Sequence, residues 1–386
     1  MFCLVSVTLR VTRPNRDLIN CKDLPDFKNP AGVTMPIFSA CNAELENRFH
    51  QRMKNLPDRR LVMFIMMIGG IFGFMCYWQL LDQYGTFAPW FALYYTKDAD
   101  RLHDSEPPAD FTRKSFPHRV VLSLTTMPEN IENLPLTLRS LINQNFAVDA
   151  IYVNVPKVNA RTGVAYPEPT WEKSLPAVTV NRLARDYGPL TKLMGSLFVE
   201  KDPKTVVITV DDDKVYDPNL VRKLVWYSHN DPTKAFGPCG FSFLPMPRPR
   251  GVVPVYIPWF LRGKGRYIDE LQAVCGILYR VGFFAKDVGL KHLEKPPMQC
   301  FTTDDLWIAG NLAVMHDVPR VLIGMDKSSW IPFMDRSLDP KNPKWKQVQT
   351  DGHSLSSENS KAGKDIGCVE AVEAHFGKRW PRIADL

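Results

Sequence analysis

The chain has 386 residues, 45% of them apolar and 23% charged, with a formal net charge of +7. That apolar share supports a sizeable core and excludes a chain disordered throughout. Residues 1–60 hold ten Lys or Arg against six Asp or Glu, hence +4, which leaves +3 for the other 326, a body too neutral for nucleic acid to be its main partner.

Residues 1–60 show no sustained helical or strand period and read as a weakly ordered cytosolic tail. Within them "MKNLPDRR", 53–60, would make a complete short basic tail by itself, so Met53 is an alternative start. "LVMFIMMIGGIFGFMCYWQLL", 61–81, is an uncharged run of 21 residues. A helix of that length crosses a hydrocarbon core of ~30 Å. A buried soluble helix this long would show a polar face, and a cleaved signal peptide would be shorter and start earlier. Arg48, Arg52, Lys54, Arg59 and Arg60 precede the run, whereas Asp82 and a stretch without Lys or Arg follow it. The positive-inside rule then puts the N-terminus in the cytosol. The expected organisation is that of a single-pass type II membrane protein: tail 1–60, transmembrane signal anchor 61–81, stem 82–117 and lumenal domain 118–386. Cys239, Cys275, Cys300 and Cys368 fall on the lumenal side, where disulfides are possible but their pairing stays open.

The lumenal part opens with a short apolar run, Val120 to Leu124, which predicts a strand. Leu134, Leu138, Leu141 and Ile142 then recur at helical spacing. "DAIYVNVP" (149–156) and "AVTVNRL" (177–183) read as strands, "GPLTKLMGSLF" as a helix with Pro189 in its first turn, and "TVVITV" as a fourth strand. This order, with near-continuous Val, Ile and Leu, predicts an α/β fold with a largely parallel sheet. "YDPNLVRKLVWY" predicts a helix with Asp217 as N-cap, Pro218 as first helical residue, and an inner stripe of Leu220, Val221, Leu224 and Val225. Five prolines in 241–265 predict an irregular insertion, because dense proline excludes a long helix or central strand. Its Tyr256, Trp259 and Phe260 could stack on sugar rings or pack the insertion onto the domain. "AVCGILYRVGFF" predicts a strand running toward a helix, "TTDDLWIAGNLAVMHD" a helix capped by Thr303, "RVLIG" a late strand, and "CVEAVEAHFG" a terminal helix.

The apolar strand "VVITV" runs directly into Asp211, Asp212 and Asp213. Three adjacent carboxylates repel one another and call for open water or a counter-cation. In open α/β sheets ligands bind beyond the C-terminal strand ends, where these acids stand. Clustered carboxylate oxygens suit a hard divalent cation such as Mn²⁺ or Mg²⁺, which can also grip a diphosphate. A solvated acidic turn is the plain alternative.

An apolar strand, three aspartates and a short link into a helix resemble the DXD region of GT-A-fold glycosyltransferases, nearest to the family 2-like and exostosin-like (family 64) set. "TTMPENIENLPLTLRSL" is similar to their first strand and helix, "RDYGPLTKL" (185–193) to the segment before the DXD strand, and "CFTTDDLWIAGNLA" (300–313) to their late acidic pair. The resemblance spans roughly 118–380 and implies a GT-A (nucleotide-diphospho-sugar transferase) Rossmann-like mixed sheet. It implies a Golgi-membrane enzyme moving a sugar from a nucleotide-sugar donor, a UDP-sugar by default, to a glycan or glycoprotein acceptor. By this resemblance Asp213 would ligate the metal, and Asp211 would share it or contact the ribose. Thr125 and Thr126 would receive the nucleoside, while Arg185 and Lys192 would face the diphosphate. Asp305 would be the catalytic base and Asp304 an acceptor contact, although charge stabilisation at a helix N-terminus is an alternative for both. His353 would complete the metal site, and Cys300 would pair with Cys368. The Gly-rich acceptor stretch of relatives is reduced here to Gly276, in "DELQAVCGILYR", which leaves the acceptor unassigned. A catalytically silent lumenal binding or scaffold protein of the same fold is the second reading, and a metal-dependent phosphohydrolase, for which "DDDKV" is a loose fit, the third.

Overall fold

The computed structural model describes residues 106–243, 252–255, 265–284, 289–324 and 364–381. The expected tail, the apolar run 61–81, Tyr256, Trp259, Phe260 and His353 lie outside them. Among the described residues no helix is long and apolar enough to cross a membrane.

The strands are β1 (Val120–Leu124), β2 (Ala150–Pro156), β3 (Val178–Leu183), β4 (Val206–Thr209), β5 (Ala235–Gly237), β6 (Gly240–Phe243), β7 (Val252–Val255), β8 (Arg266–Tyr267), β9 (Glu270–Leu271), β10 (Ile277–Arg280) and β11 (Arg320–Leu322). The helices are α1 (Pro135–Ile142), α2 (Thr191–Val199), α3 (Leu220–Asn230), α4 (Gly289–Leu293), α5 (Asp304–Val314) and α6 (Lys364–Phe376). Eight strands form one mixed, Rossmann-like sheet in the order β3-β2-β1-β4-β10-β5-β11-β8. β1 to β4 are mutually parallel where they pair, β10 lies antiparallel between β4 and β5, and β8 is antiparallel to β11.

Alternation along the strands gives the sheet two cores. Val120, Leu122 and Leu124 face α1 and α3, where Leu138, Leu141, Leu220, Val221, Leu224 and Val225 are buried. Val121 and Val207 face the other way, toward Leu193 and Met194 of α2 and Leu306, Trp307 and Leu312 of α5. Each such side chain contributes about 1.5–3 kcal/mol by leaving water. On this second face Ser123 carries a buried polar net instead of a methyl. Asn154 Nδ2 donates to Ser123 Oγ at 2.8 Å, Ser196 Oγ donates to the same oxygen at 2.6 Å, and Ser123 Oγ donates to the Lys192 carbonyl. The net ties α2 to β1 and β2.

Some expectations shift. α3 starts at Leu220 after Asn219; Asp217 stands two residues earlier, its Oδ1 accepting from Asn219 N–H at 2.8 Å. The insertion is not wholly irregular: β6 is the middle strand and β7 an edge strand of a small antiparallel sheet, β7-β6-β9. Pro254 is accommodated there because an edge strand has a side that needs no ladder hydrogen bond. Phe111 and Phe116, placed in the stem by sequence, are buried against the α1/α3 core, so residues 106–117 belong to the folded body.

Candidate functional site

The strand order reverses between β1 and β4, the position where an open α/β sheet offers a crevice. Thr125 and Thr126 leave the end of β1, and Asp211 to Asp213 leave the end of β4. The acidic loop is held from several sides. Asp211 N–H donates to the Tyr216 hydroxyl at 2.8 Å, Thr137 of α1 donates to the Asp212 carbonyl at 2.8 Å, and Tyr216 N–H donates to Ser140 Oγ at 3.1 Å. Thr126 Oγ1 donates to the Asp212 carboxylate, so the middle aspartate is turned back onto the end of β1. Burial, and then the neighbouring charge of Asp213, push the Asp212 carboxyl up to about 7. Asp211 and Asp213 are the two left facing outward, their side chains 33% and 37% exposed.

Asp304 and Asp305 occupy the first turn of α5, after Thr303. Thr303 holds the expected cap position, yet its hydroxyl makes no capping hydrogen bond. Asp305 Oδ2 accepts the Ala273 N–H at 3.0 Å, whereas its Oδ1 is shielded from solvent without a hydrogen-bond partner among the described residues. Burial, then the Asp304 charge, raise the Asp305 carboxyl to about 8. Burial also favours the neutral acid at Asp304, opposed by Lys192. Glu270 of β9, which sequence reasoning passed over, is buried behind them; burial and then Asp305 hold it well above the usual carboxylate range.

Lys192 joins the two acidic groups. Its Nζ lies 2.7 Å from Asp211 Oδ1 and 3.2 Å from Asp304 Oδ2, with the residue 5% exposed. Burial alone would lower its pKa, but the Asp211 and Asp304 charges outweigh that and raise it. Expected as a diphosphate contact, Lys192 is here engaged by carboxylates. A lysine inside the otherwise uncharged "TKLMGSLF" helix was the sequence signal that could have revealed this. Lys214 forms a second such pair, 2.9 Å from Asp213 Oδ2.

The segments that resembled separate family motifs are in contact. Gly188 has a φ of +62°, and a Cβ there would lie 2.9 Å from the Phe301 carbonyl, so "DYGPL" and "CFTT" meet only through glycine. Arg185 is exposed, with its guanidinium carbon 5.1 Å above the Tyr187 ring. Its neighbour Asp186 accepts from Ala160 N–H at 2.7 Å and Gly188 N–H at 2.8 Å. Cys300 is bonded to Cys368, tying the approach to α5 onto α6, and Cys239 is bonded to Cys275, next to the turn that holds Asp305.

Of the five carboxylates, Asp211, Asp213 and Asp304 are thus paired with two ammonium groups, while Asp212 is held by Thr126 and Asp305 by the Ala273 N–H. Among the described residues no three His, Cys, Asp or Glu side chains converge as a ready-made metal cage. Outward Asp211 and Asp213 nonetheless fit the donor set of Mg²⁺ or Mn²⁺, which take one or two carboxylates plus substrate phosphates rather than an all-protein cage.

No protein-family model and no curated protein matches the chain. Solved structures overlap loosely. A mannosyltransferase from Pyrobaculum calidifontis, solved with GDP-Man and Mn²⁺, is 15% identical, covering 76% of this chain and 83% of that one at a TM-score of 0.38. The UTP-bound UGPase of Acinetobacter baumannii is 9% identical, covering 64% and 98% at 0.34. The M. tuberculosis glucosyl-3-phosphoglycerate synthase is 17% identical, covering 32% and 45% at 0.23. Overlaps this loose leave substrate and chemistry to be read from the site itself.

Proposed function

We propose that the chain is a divalent-cation-dependent glycosyltransferase of GT-A type. It would move a sugar from a nucleotide-sugar donor, a UDP-sugar by default, onto a glycan or glycoprotein acceptor. The observation that carries this reading is the meeting of Asp211, from the β4 end, and Asp304, from the start of α5, on one buried lysine. Two sets of carboxylates, far apart in sequence, thereby share one crevice at the strand-order reversal.

Asp211 and Asp213 would hold Mn²⁺ or Mg²⁺, which when bound offsets charge on a diphosphate. Thr125 and Thr126 border the nucleoside end, and the exposed Arg185 offers a guanidinium to phosphate oxygens. His353, outside the described residues, is a further proposed ligand. In the transfer, the acceptor hydroxyl gives its proton to Asp305 as its oxygen bonds to the anomeric carbon. The bond from that carbon to the diphosphate oxygen breaks, and its electron pair leaves with the nucleotide. Asp305 suits the task because, once it has released the proton that burial makes it keep below about 8, its carboxylate is a strong proton acceptor. The Ala273 N–H fixes one oxygen, and the other has no hydrogen-bond partner among the described residues. Placement in the Golgi membrane with the catalytic domain lumenal is part of the same proposal and rests on the run at 61–81.

A catalytically silent binding protein is the competing reading. The test is a screen of nucleotide sugars for Mn²⁺-dependent hydrolysis by the full chain, beside Asp213→Ala. One donor turned over, with the turnover abolished in the variant, is expected. Donor binding without any turnover would favour the silent protein.

A further inference from the structure

Both outward carboxylates already carry an ammonium ion. Asp213 has Lys214 at 2.9 Å, and Asp211 has Lys192 at 2.7 Å. The two lysines differ in how they are held. Lys214 is sequence neighbour to its aspartate and moves with the same loop. Lys192 belongs to α2, whose backbone is fixed at that residue: its carbonyl accepts from Ser123 Oγ and from Asn154 Nδ2, the latter at 3.3 Å. Its Nζ also keeps a second partner, Asp304, at 3.2 Å. The ammonium is therefore a resident charge, seated between the two acid groups and 95% removed from solvent.

We propose that Lys192 is a built-in competitor of the metal ion at Asp211. This rests on the reading of Asp211 and Asp213 as the metal carboxylates. A divalent cation arriving alone must take Asp211 from an ammonium already in hydrogen-bonding contact, and two positive charges a few ångströms apart in a shielded site repel strongly. A nucleotide diphosphate removes that obstacle. It brings negative charge for the metal and for the displaced ammonium together, so that cation and nucleotide enter as a pair. Lys192 touches no reacting atom in this scheme; it acts through Asp211 and Asp304, and is a positioning residue. Its consequence is an order of binding: little Mn²⁺ is held while the donor site is empty.

The probe is Mn²⁺ itself, followed by electron paramagnetic resonance of the free ion with the full chain in the absence of nucleotide, and again with UDP. Lys192→Met is expected to tighten nucleotide-free Mn²⁺ binding roughly tenfold, the size of effect that removing one adjacent charge gives in a partly shielded site. Lys192→Arg keeps the charge and is expected to resemble the parent. Because Lys192→Met strands Asp304 as a buried charge, the charge-balanced Lys192→Met/Asp304→Asn variant is measured beside it and is expected to show the same gain. Unchanged Mn²⁺ affinity in whichever variant folds overturns the proposal. Collapse of both variants overturns it too, since Lys192 would then be a structural counter-ion only. Tight Mn²⁺ binding by the parent chain without nucleotide has the same effect. Absence of any UDP effect in the parent strikes the nucleotide-sugar reading instead, and the Mn²⁺-only comparison still decides the role of Lys192.

Discussion

Asp305 sits in a place where ionisation is unwelcome. Its carboxyl is raised from 3.8 to about 8, first by burial and then by Asp304. Between those two values the folded chain keeps a proton that the unfolded chain has released. The stability this contributes is fully present below the unfolded pKa and is lost as pH rises through about 8. Asp305→Asn removes that loss. In chelator, its urea midpoint should match the parent near pH 4, exceed it increasingly as pH approaches about 8 and level off above; a gap that stays constant across that range would mean that Asp305 is not the group responsible. The same variant should lack transferase activity at every pH. Among single residues, Asp211, Asp213, Asp304 and Asp305 could be picked out from sequence because acids at a strand end or a helix start are informative in one dimension. Lys192 could be picked out only as a phosphate contact, and Tyr216 and the Ala273 N–H not at all. Their meaning comes from partners 5 to 112 positions away, such as Asp211 for Tyr216, Asp304 for Lys192 and Asp305 for Ala273.

At the scale of elements, α2 decides where Lys192 stands, and one glycine decides how closely α2 lies. A Cβ on Gly195 would be 2.1 Å from Asn154 Oδ1, inside the buried net that also holds Ser123 and Ser196. Gly195→Ala is expected to destabilise the protein by about 1–3 kcal/mol, as overpacking of a tight interior does. It should also weaken donor binding, because α2 must shift and carry Lys192 with it. Denaturant unfolding checks the first effect and nucleotide titration the second; an unchanged midpoint would show that Asn154 swings aside at little cost. β1 to β4 and α1 to α3 were legible because short Val/Ile/Leu runs and helical spacing are local signals. Strand direction is not local: "GILYR" reads alike whether β10 runs with β4 or against it, and it runs against. The β6–β7 pairing was hidden for a related reason, since proline marks a poor ladder donor but does not show which strands have an edge to spare.

For the whole molecule, the two disulfides close loops of 36 and 68 residues. Each is worth about 4 kcal/mol if its stabilisation is taken as lost chain entropy. Cys368→Ala is therefore expected to lower unfolding free energy by about 2–4 kcal/mol and to loosen α6, seen as faster amide exchange at Val369 and Val372 in the variant than in the parent, with Leu122 unchanged. Equal exchange in parent and variant would show that Trp380 and the α5 contacts hold α6 unaided. Cys300–Cys368 was expected from the family resemblance alone. Without that resemblance four thiols permit three pairings, and Cys239–Cys275 follows only as the pair it leaves over. The placement of these thiols has a further meaning for biogenesis. No cysteine occurs between residues 77 and 238. During synthesis the β1–β4 half, with the Asp211–Asp213 loop at its tip, therefore leaves the ribosome without a thiol to mispair. Every scrambled isomer of the four downstream thiols is confined to the later half, which carries Asp304 and Asp305. A wrongly oxidised molecule would thus misplace first the segments that carry Asp304 and Asp305.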